Sequence, residues 1–364
     1  MNKSSQNSAR VMAPSVGFTA SHQKLERAKL IVHAHDQVSA ENYVSETTLG
    51  SRLSDPSLMD YLETSHFPRI FSTSFSLPGT LEPNFEGALR HVLENPGSLI
   101  RPRITFQMAQ AYGMEPSHAQ NLAIALEYFH TASLLFDDLP CMDNALERRG
   151  AACTHLIFGE DGAILSALAL INRAYGLLWR AVDGGAGEQR TQALEYVEHN
   201  LGVFGLLNGQ SLDLHYSSLP HSLESTERVA RGKTVSLIRL TLVLPAIIGN
   251  ALRSEVGQLE RISLCWGLSY QIVDDLKDLL QNNSQTGKTT ARDALLGHPN
   301  MAAVIGVTKA VRRLTRLIDI GDRALDRVLR SRPELEFLKR FRAELQFELA
   351  RVTQGSRTLA GEAR

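Results

Sequence analysis

The chain has 364 residues, of which 43% are hydrophobic and 21% charged. That is the composition of a folded globular protein and excludes a wholly disordered or fibrous chain. With 38 Lys and Arg against 39 Asp and Glu, the formal net charge is −1, so no global basic field exists to hold a nucleic acid. The cysteines Cys141, Cys153 and Cys265 are too few and too scattered for a disulfide scaffold. They suit a reducing compartment, and the expected location is cytoplasmic.

Residues 1–75 are rich in Ser, Thr and His and only weakly periodic. They are expected to form a partly disordered N-terminal extension, with a disordered leader preferred over a transit peptide. The run from Phe71 to Thr80 ends it, with Pro78-Gly79 as a turn. From about residue 83 the texture changes. Helical spacing predicts helices over 85–94, 104–112, 118–136, 163–181, 192–205, 227–249, 258–280, 301–331 and 335–352. Breakers such as Asn95-Pro96-Gly97, Asp183-Gly184-Gly185 and His298-Pro299-Asn300 separate them. Alternating strand patterns are nearly absent, and no solenoid repeat is visible. The longest near-apolar stretch, Leu237 to Ile248, is interrupted by Arg239, Thr241 and Pro245, so no transmembrane segment is expected. Residues 76–364 are therefore expected to form one all-α domain.

Two acidic segments stand out. The predicted helix ending near 136 runs into Asp137-Asp138, and Asp143 follows Pro140. The helix over 258–280 carries Asp274-Asp275 and Asp278. Asp274 and Asp278 are four apart, so they share a helix face. Carboxylates on an apolar helix are costly unless a cation compensates them, and neighbouring aspartates resist joint ionisation. A divalent cation reverses both penalties. Mg2+ takes one or two carboxylates and completes its shell with water and phosphate oxygens. An isolated Asp-Asp pair is more often a solvated helix end. Two such clusters, with Arg148-Arg149, Lys233-Thr234 and Lys288 nearby in sequence, point instead to a polyphosphate held through metals.

The Gly-Lys-Thr triplets at Gly232–Thr234 and Gly287–Thr289 do not make a P-loop. The required upstream glycine is Glu227 in one case and Asn282 in the other, and no strand precedes either.

These residues resemble the trans-prenyl diphosphate synthase family. Asp137 to Asp143 resembles its first aspartate-rich motif, in the form with two extra residues. Arg148-Arg149-Gly150 is similar to the arginine pair after it, and Asp274-Asp275-Leu276-Lys277-Asp278 to the second motif. Phe158-Gly159-Glu160, Gly209-Gln210, Lys233-Thr234, Tyr270-Gln271, Gly287-Lys288 and Pro299-Asn300 match in the family's order, over roughly residues 85–310. The stretch from His130 to Asp143 is most similar to bacterial geranylgeranyl diphosphate synthases.

The resemblance implies an isoprenoid synthase fold, a helix bundle around a central active-site cavity, and a homodimer. It implies joining an allylic prenyl diphosphate to isopentenyl diphosphate. Asp137, Asp138, Asp143, Asp274, Asp275 and Asp278 are the implied ligands of Mg2+, three ions with bound diphosphate. Arg148, Lys233 and Lys288 would grip the allylic diphosphate; Arg101, His130 and Arg149 would hold isopentenyl diphosphate. Gln271 and Thr234 would steady the reacting end. Asp137, Asp138, Lys233, Gln271 and Asp274 form the expected catalytic set.

Product length is expected to be set below the first cluster. Ser133 and Ala132 lie about one helical turn before Asp137, and Phe129 about two. Small residues at the first turn leave a shaft open, and Phe129 would close it a turn lower, which favours a C20 product over C15. Phe129 as an ordinary core residue is the competing reading.

The chain also departs from the family pattern. Ser98 and Leu99 stand where a lysine and an arginine are usual, Ala151 replaces a common lysine, and His298 stands where Gly-Lys is frequent. The isopentenyl side is thus thinned. Two rivals follow: a terpene synthase or cyclase that ionises a prenyl diphosphate without isopentenyl diphosphate, and a non-catalytic partner of an active synthase.

Overall fold

The computed structural model describes residues 67–183, 187–280, 297–343 and 347. The chain divides into two units, Met1–Tyr61 and Leu62–Arg364, and all described residues belong to the second. That unit is built from helices. After α1 (67–73) come α2 (Pro83–Glu94), α3 (Ile100–Ala111), α4 (Pro116–Asp137), α5 (Thr154–Val182), α6 (Gly187–Leu201), α7 (Leu206–Leu214) and α8 (Leu223–Ala230). A π-helical turn, Arg231–Val235, leads into α9 (Ser236–Leu242), α10 (Leu244–Ile248), α11 (Arg253–Leu280), α12 (Met301–Ile305) and α13 (Val307–Ser331).

Helix α4 is the axis. Glu115 caps it by accepting from the Ser117 amide, and Pro116 opens its first turn. It is apolar on every side, with Leu122, Ile124 and Tyr128 fully buried, as a helix surrounded by others must be. Burying each such side chain contributes about 1.5–3 kcal/mol. Its main neighbours are α5 and α3, while α11 packs against α13. Helix α1 docks on this core: Phe71 is completely buried, its ring packs edge-on to Tyr128 at 5.0 Å, and its carbonyl accepts from the Tyr128 hydroxyl. Phe67 and Phe71, which precede the expected boundary at residue 75, are core residues. What was expected of residues 1–66 lies outside the described residues.

Most predicted helices appear, with informative differences. The predicted helix over 227–249 is present as a continuous helical run through α8, the π-turn, α9 and α10, with Val243, still in helical φ/ψ, between the last two. Gly232 meets Gly209 of α7 so closely that a Cβ on Gly232 would lie 2.6 Å from the Gly209 Cα, and Pro245 opens α10. The predicted helix over 301–331 divides at Gly306, whose φ of +84° no ordinary side chain adopts cheaply. Helix α5 is kinked at Gly159, whose φ of +82° and ψ of 163° are not helical, so a short helical segment from Thr154 precedes the main helix, which begins just after Gly159, close to the predicted start. It is long and apolar enough, by length and composition, to cross a membrane. Here its Ala163, Ala167, Leu170, Ala174 and Leu178 face is buried in the protein core. Of the segment predicted over 335–352, the described part is a 3-10 turn, Pro333–Phe337, followed by helix over 338–343.

Candidate active site

Helix α4 delivers Asp137 at its last turn, and the chain then folds back on itself. The Asp143 amide donates to the Asp137 carbonyl at 2.9 Å, and the Ala145 amide to the Asp138 carbonyl at 3.2 Å. A two-stranded hairpin follows, β1 (Glu147–Arg148) and β2 (Ala151–Ala152). Its two loop residues, Arg149 and Gly150, have φ of +57° and +78°, the pattern of a type I′ turn. The adjacent arginines consequently serve different partners. Arg148 donates from Nε and Nη2 to Asp138 Oδ1 at 2.9 and 2.5 Å. Arg149 donates to Glu127 Oε1 at 3.0 Å and to Thr131 Oγ1 at 3.3 Å.

The π-turn joins the two aspartate clusters. Lys233 donates to Asp213 Oδ2 at 2.6 Å and lies 3.7 Å from Asp137 Oδ2. Its neighbour Thr234 points the other way and donates to Gln271 Oε1 at 2.8 Å, while Gln271 Nε2 donates to Asp275 Oδ1 at 2.9 Å. The segment before α12 makes a second bridge. His298 has one ring nitrogen 3.8 Å from Asp143 and the other 3.7 Å from Asp213, and Asn300 donates to the Asp275 carbonyl. Two independent segments thus touch both acidic helices.

Within the second cluster the three aspartates differ. Asp274 is exposed and Asp278 half-buried on α11. Asp275 is 1% exposed; its Oδ2 accepts from the Met301 amide at 2.7 Å and its Oδ1 from Gln271. Both oxygens thus accept hydrogen bonds that tie α12 and Gln271 to α11. Lys288 lies outside the described residues.

Two turns before Asp137 on α4, Arg101 and His130 meet at 2.8 Å, close to Arg149 and Glu127. Arginine has only donors, so His130 Nε2 accepts and Nδ1 carries the proton. Burial, reinforced by Arg101, Arg149 and Arg148, holds the His130 pKa well below its ordinary value, so the ring is neutral and offers one N–H. Ser98 is exposed, whereas Leu99 is buried with a left-handed φ of +50°. Ala132 is completely buried and Phe129 nearly so, its ring edge-on to Tyr175 of α5 at 4.9 Å. Ser133 donates back to the His130 carbonyl.

The electrostatics are those of a crowded acidic site. Burial raises the Asp137 pKa to about 6, with Asp143 and Asp213 pushing the same way and Lys233 and Arg148 opposing. Burial pulls Lys233 down, but Asp213 and Asp137 outweigh it and leave the ammonium raised and fully charged. Glu127 is raised by its own burial despite Arg101 and Arg149. The donors are hard oxygens crowded around one cation, which fits Mg2+. Among the described residues no three acidic, His or Cys side chains enclose an ion; an ion here would take one or two carboxylates, with diphosphate and water completing its shell.

Sequence reasoning did not single out three members of this site: Asp213, His298 as a neighbour of two acids, and Glu127. Asp213 lies three residues after Gln210 on α7, so helical spacing from the Gly209-Gln210 match was the available signal. A separate polar cavity of about 420 Å3 shares Gly209 and Gly232 with the site's wall but contains none of the aspartates.

Residues 82–329 match the family model described as polyprenyl synthetase. Geranylgeranyl pyrophosphate synthase 4 of Arabidopsis thaliana is 35% identical over 234 residues, covering 63% of this chain and 62% of that protein. The chloroplastic geranylgeranyl pyrophosphate synthase of Capsicum annuum is 33% identical over 224 residues, covering 61% of each. The match thus spans a little over three fifths of these relatives' own length. Among solved structures, the geranyltransferase of Helicobacter pylori complexed with magnesium and isoprenyl diphosphate superposes with a TM-score of 0.68 at 26% identity, over 81% of this chain and 99% of that one. The geranyltranstransferase of Thermotoga maritima gives 0.61 at 25%, over 79% and 98%. With its helical architecture and more than half its length matched, the chain belongs to the polyprenyl synthetase family and has the isoprenoid synthase fold.

Proposed function

We propose that the protein is a short-chain trans-prenyl diphosphate synthase that joins allylic prenyl diphosphates to isopentenyl diphosphate, with a C20 product. The observation that carries this reading is the double bridge between the acidic helices, Lys233 with Thr234 and His298 with Asn300. The names of the relatives support it in kind.

Asp137, Asp138, Asp143, Asp274 and Asp278 would hold Mg2+. The ions, when bound, supply the positive charge that makes diphosphate a competent leaving group. Lys233 adds a permanent cation, held in place by Asp213. Arg148, anchored by Asp138, stands at the same end. Gln271 is held from both sides by Thr234 and Asp275, and its carbonyl dipole would steady the developing allylic cation. Arg101, Arg149 and the Nδ1–H of neutral His130 bind the second diphosphate and bring its double bond alongside. The proton lost after addition goes to the released diphosphate, so no protein base is required. The prenyl chain would run past Ala132 toward Phe129, where apolar side chains exclude water.

The catalytic domain is read as residues 76–364, with residues 1–75 an N-terminal extension, and a cytoplasmic location accords with three cysteines that form no disulfide. A homodimer is part of the reading. Leu165, Leu168, Tyr175 and Trp179 stand exposed along one face of α5, and Val203, Phe204 and Leu207 are exposed between α6 and α7. Exposed apolar side chains gathered on one helix face mark a protein interface. Light scattering should give twice the chain mass, and Trp179→Glu should reduce it to one.

A second reading, ionisation of a prenyl diphosphate without isopentenyl diphosphate, is favoured by the exposed Ser98 and buried Leu99 where cations are expected. Incubation with Mg2+ and allylic C5, C10 or C15 diphosphates, with and without isopentenyl diphosphate, separates the two. Longer diphosphates formed only with the second substrate support the synthase. Hydrocarbons or alcohols formed without it would establish the lyase.

A further inference from the structure

Helix α13 buries Ala310, Leu314, Leu317, Ile318, Ala324, Leu325 and Val328 against the core. Its opposite face is unusual. Lys309, Arg312, Arg316, Arg323, Arg327 and Arg330 are all exposed. At about 100° per residue, these six fall within an arc of about 60°, along a line of about 32 Å. The only acids exposed on the helix, Asp319 and Asp326, fall to one flank of that line. Spacings of three and four make Lys309–Arg312, Arg312–Arg316, Arg323–Arg327 and Arg327–Arg330 like-charge neighbours, each a cost to helix stability. Among the described residues no ion pair relieves Lys309, Arg312, Arg316, Arg323 or Arg327. The chain as a whole carries a net charge of −1, so this stripe is a local concentration and not a share of a general basic charge.

We propose that this face of α13 docks the protein on an anionic lipid surface. A straight, convex row of cations matches a plane and not a pocket. It carries no exposed aromatic side chain on which a base could stack and no apolar wedge that a partner protein's groove would need. Attraction of clustered Lys and Arg to anionic headgroups needs neither. The row begins shortly after α12, whose first amide is held by Asp275, so its N-terminal end lies close to the second aspartate cluster. The choice of lipid over other polyanions rests on the synthase reading, in which the product is an amphiphile whose long apolar chain partitions into a bilayer.

The test is co-sedimentation of the full chain with phosphatidylcholine vesicles, with and without about 30% phosphatidylglycerol, at low salt and at about 0.5 M salt. Binding is expected only to the anionic vesicles and only at low salt. The variant Arg312→Gln, Arg316→Gln, Arg323→Gln, Arg327→Gln should bind at least tenfold more weakly. Arg69→Gln with Arg253→Gln, exposed but off the stripe, should bind like the wild type. Equal partition onto neutral vesicles, or undiminished binding by the four-Gln variant, overturns the proposal. So does duplex DNA displacing the protein from the vesicles at equal charge concentration. Turnover measured on the same preparations keeps the two readings apart, because vesicle binding does not depend on catalysis.

Discussion

Lys233 and Thr234 are consecutive residues that serve opposite aspartate clusters. The lysine is held between Asp213 and Asp137, and the threonine bonds to Gln271 beside Asp275. The π-turn allows this, because one extra residue in the turn swings neighbouring side chains apart. Replacing Lys233 by Gln removes a charge-assisted contact of about 1.5–3 kcal/mol, so kcat/KM should fall by roughly 10- to 150-fold. Asp213→Asn should lower it in the same direction by about tenfold through loss of the lysine's anchor. The double variant should be no worse than Lys233→Gln alone, since the two act as a unit. Steady-state kinetics on the four proteins checks this; additive losses would show that Asp213 acts independently of Lys233.

The isopentenyl side offers a gain-of-function test. Ser98 is exposed at the loop that approaches Arg149 through Gly97. Ser98→Lys should lower KM for isopentenyl diphosphate, by as much as the 10- to 150-fold that one charge-assisted bond supplies, with KM for the allylic substrate unchanged. An unaltered KM would mean that residue 98 does not reach the second diphosphate.

Product length should respond at α4. Ala132 is completely buried one turn below Asp137, and at the next turn Phe129 packs edge-on against Tyr175. Ala132→Tyr should shorten the main product to C15 or below, and Phe129→Ala should lengthen it by about one isoprene unit, the span of about one helical turn. Chromatography of the dephosphorylated products reads the outcome. A C20 product from Ala132→Tyr would remove α4 as the ruler.

Asp137 sets a pH dependence of stability in the absence of metal. Its pKa is raised to about 6 by burial and by Asp143 and Asp213, against about 3.9 unfolded. A raised folded pKa means that its stabilising contribution is complete below about pH 4 and is lost as pH rises through about 6, on the order of 2–3 kcal/mol. Urea unfolding in EDTA between pH 4 and 7 should show this decline in the wild type and a flatter profile in Asp137→Asn. Parallel profiles would place the strain elsewhere.

The helical fold was legible because long apolar periods leave a bundle as the physical solution. The two aspartate clusters were legible because buried acids on apolar helices need a cation. Three features were not. The π-turn is invisible to a period average, and in the structure it coincides with the close approach of Gly232 to Gly209. Asp275 reads in sequence like Asp274, but burial and two hydrogen bonds set it apart. His298 looks like a lost lysine, yet its ring sits between Asp143 and Asp213, a tertiary contact that no local spacing encodes.

The central claim is that both acidic helices share metal around one diphosphate. Crystals grown with Mn2+ and a non-hydrolysable allylic bisphosphonate, measured at the manganese absorption edge, test it most directly. The account predicts anomalous peaks between the helices, with ions ligated by Asp137 or Asp143 on one side and by Asp274 or Asp278 on the other, all bridged by phosphonate oxygens. Metal bound to one cluster alone, with the bisphosphonate elsewhere, would contradict it.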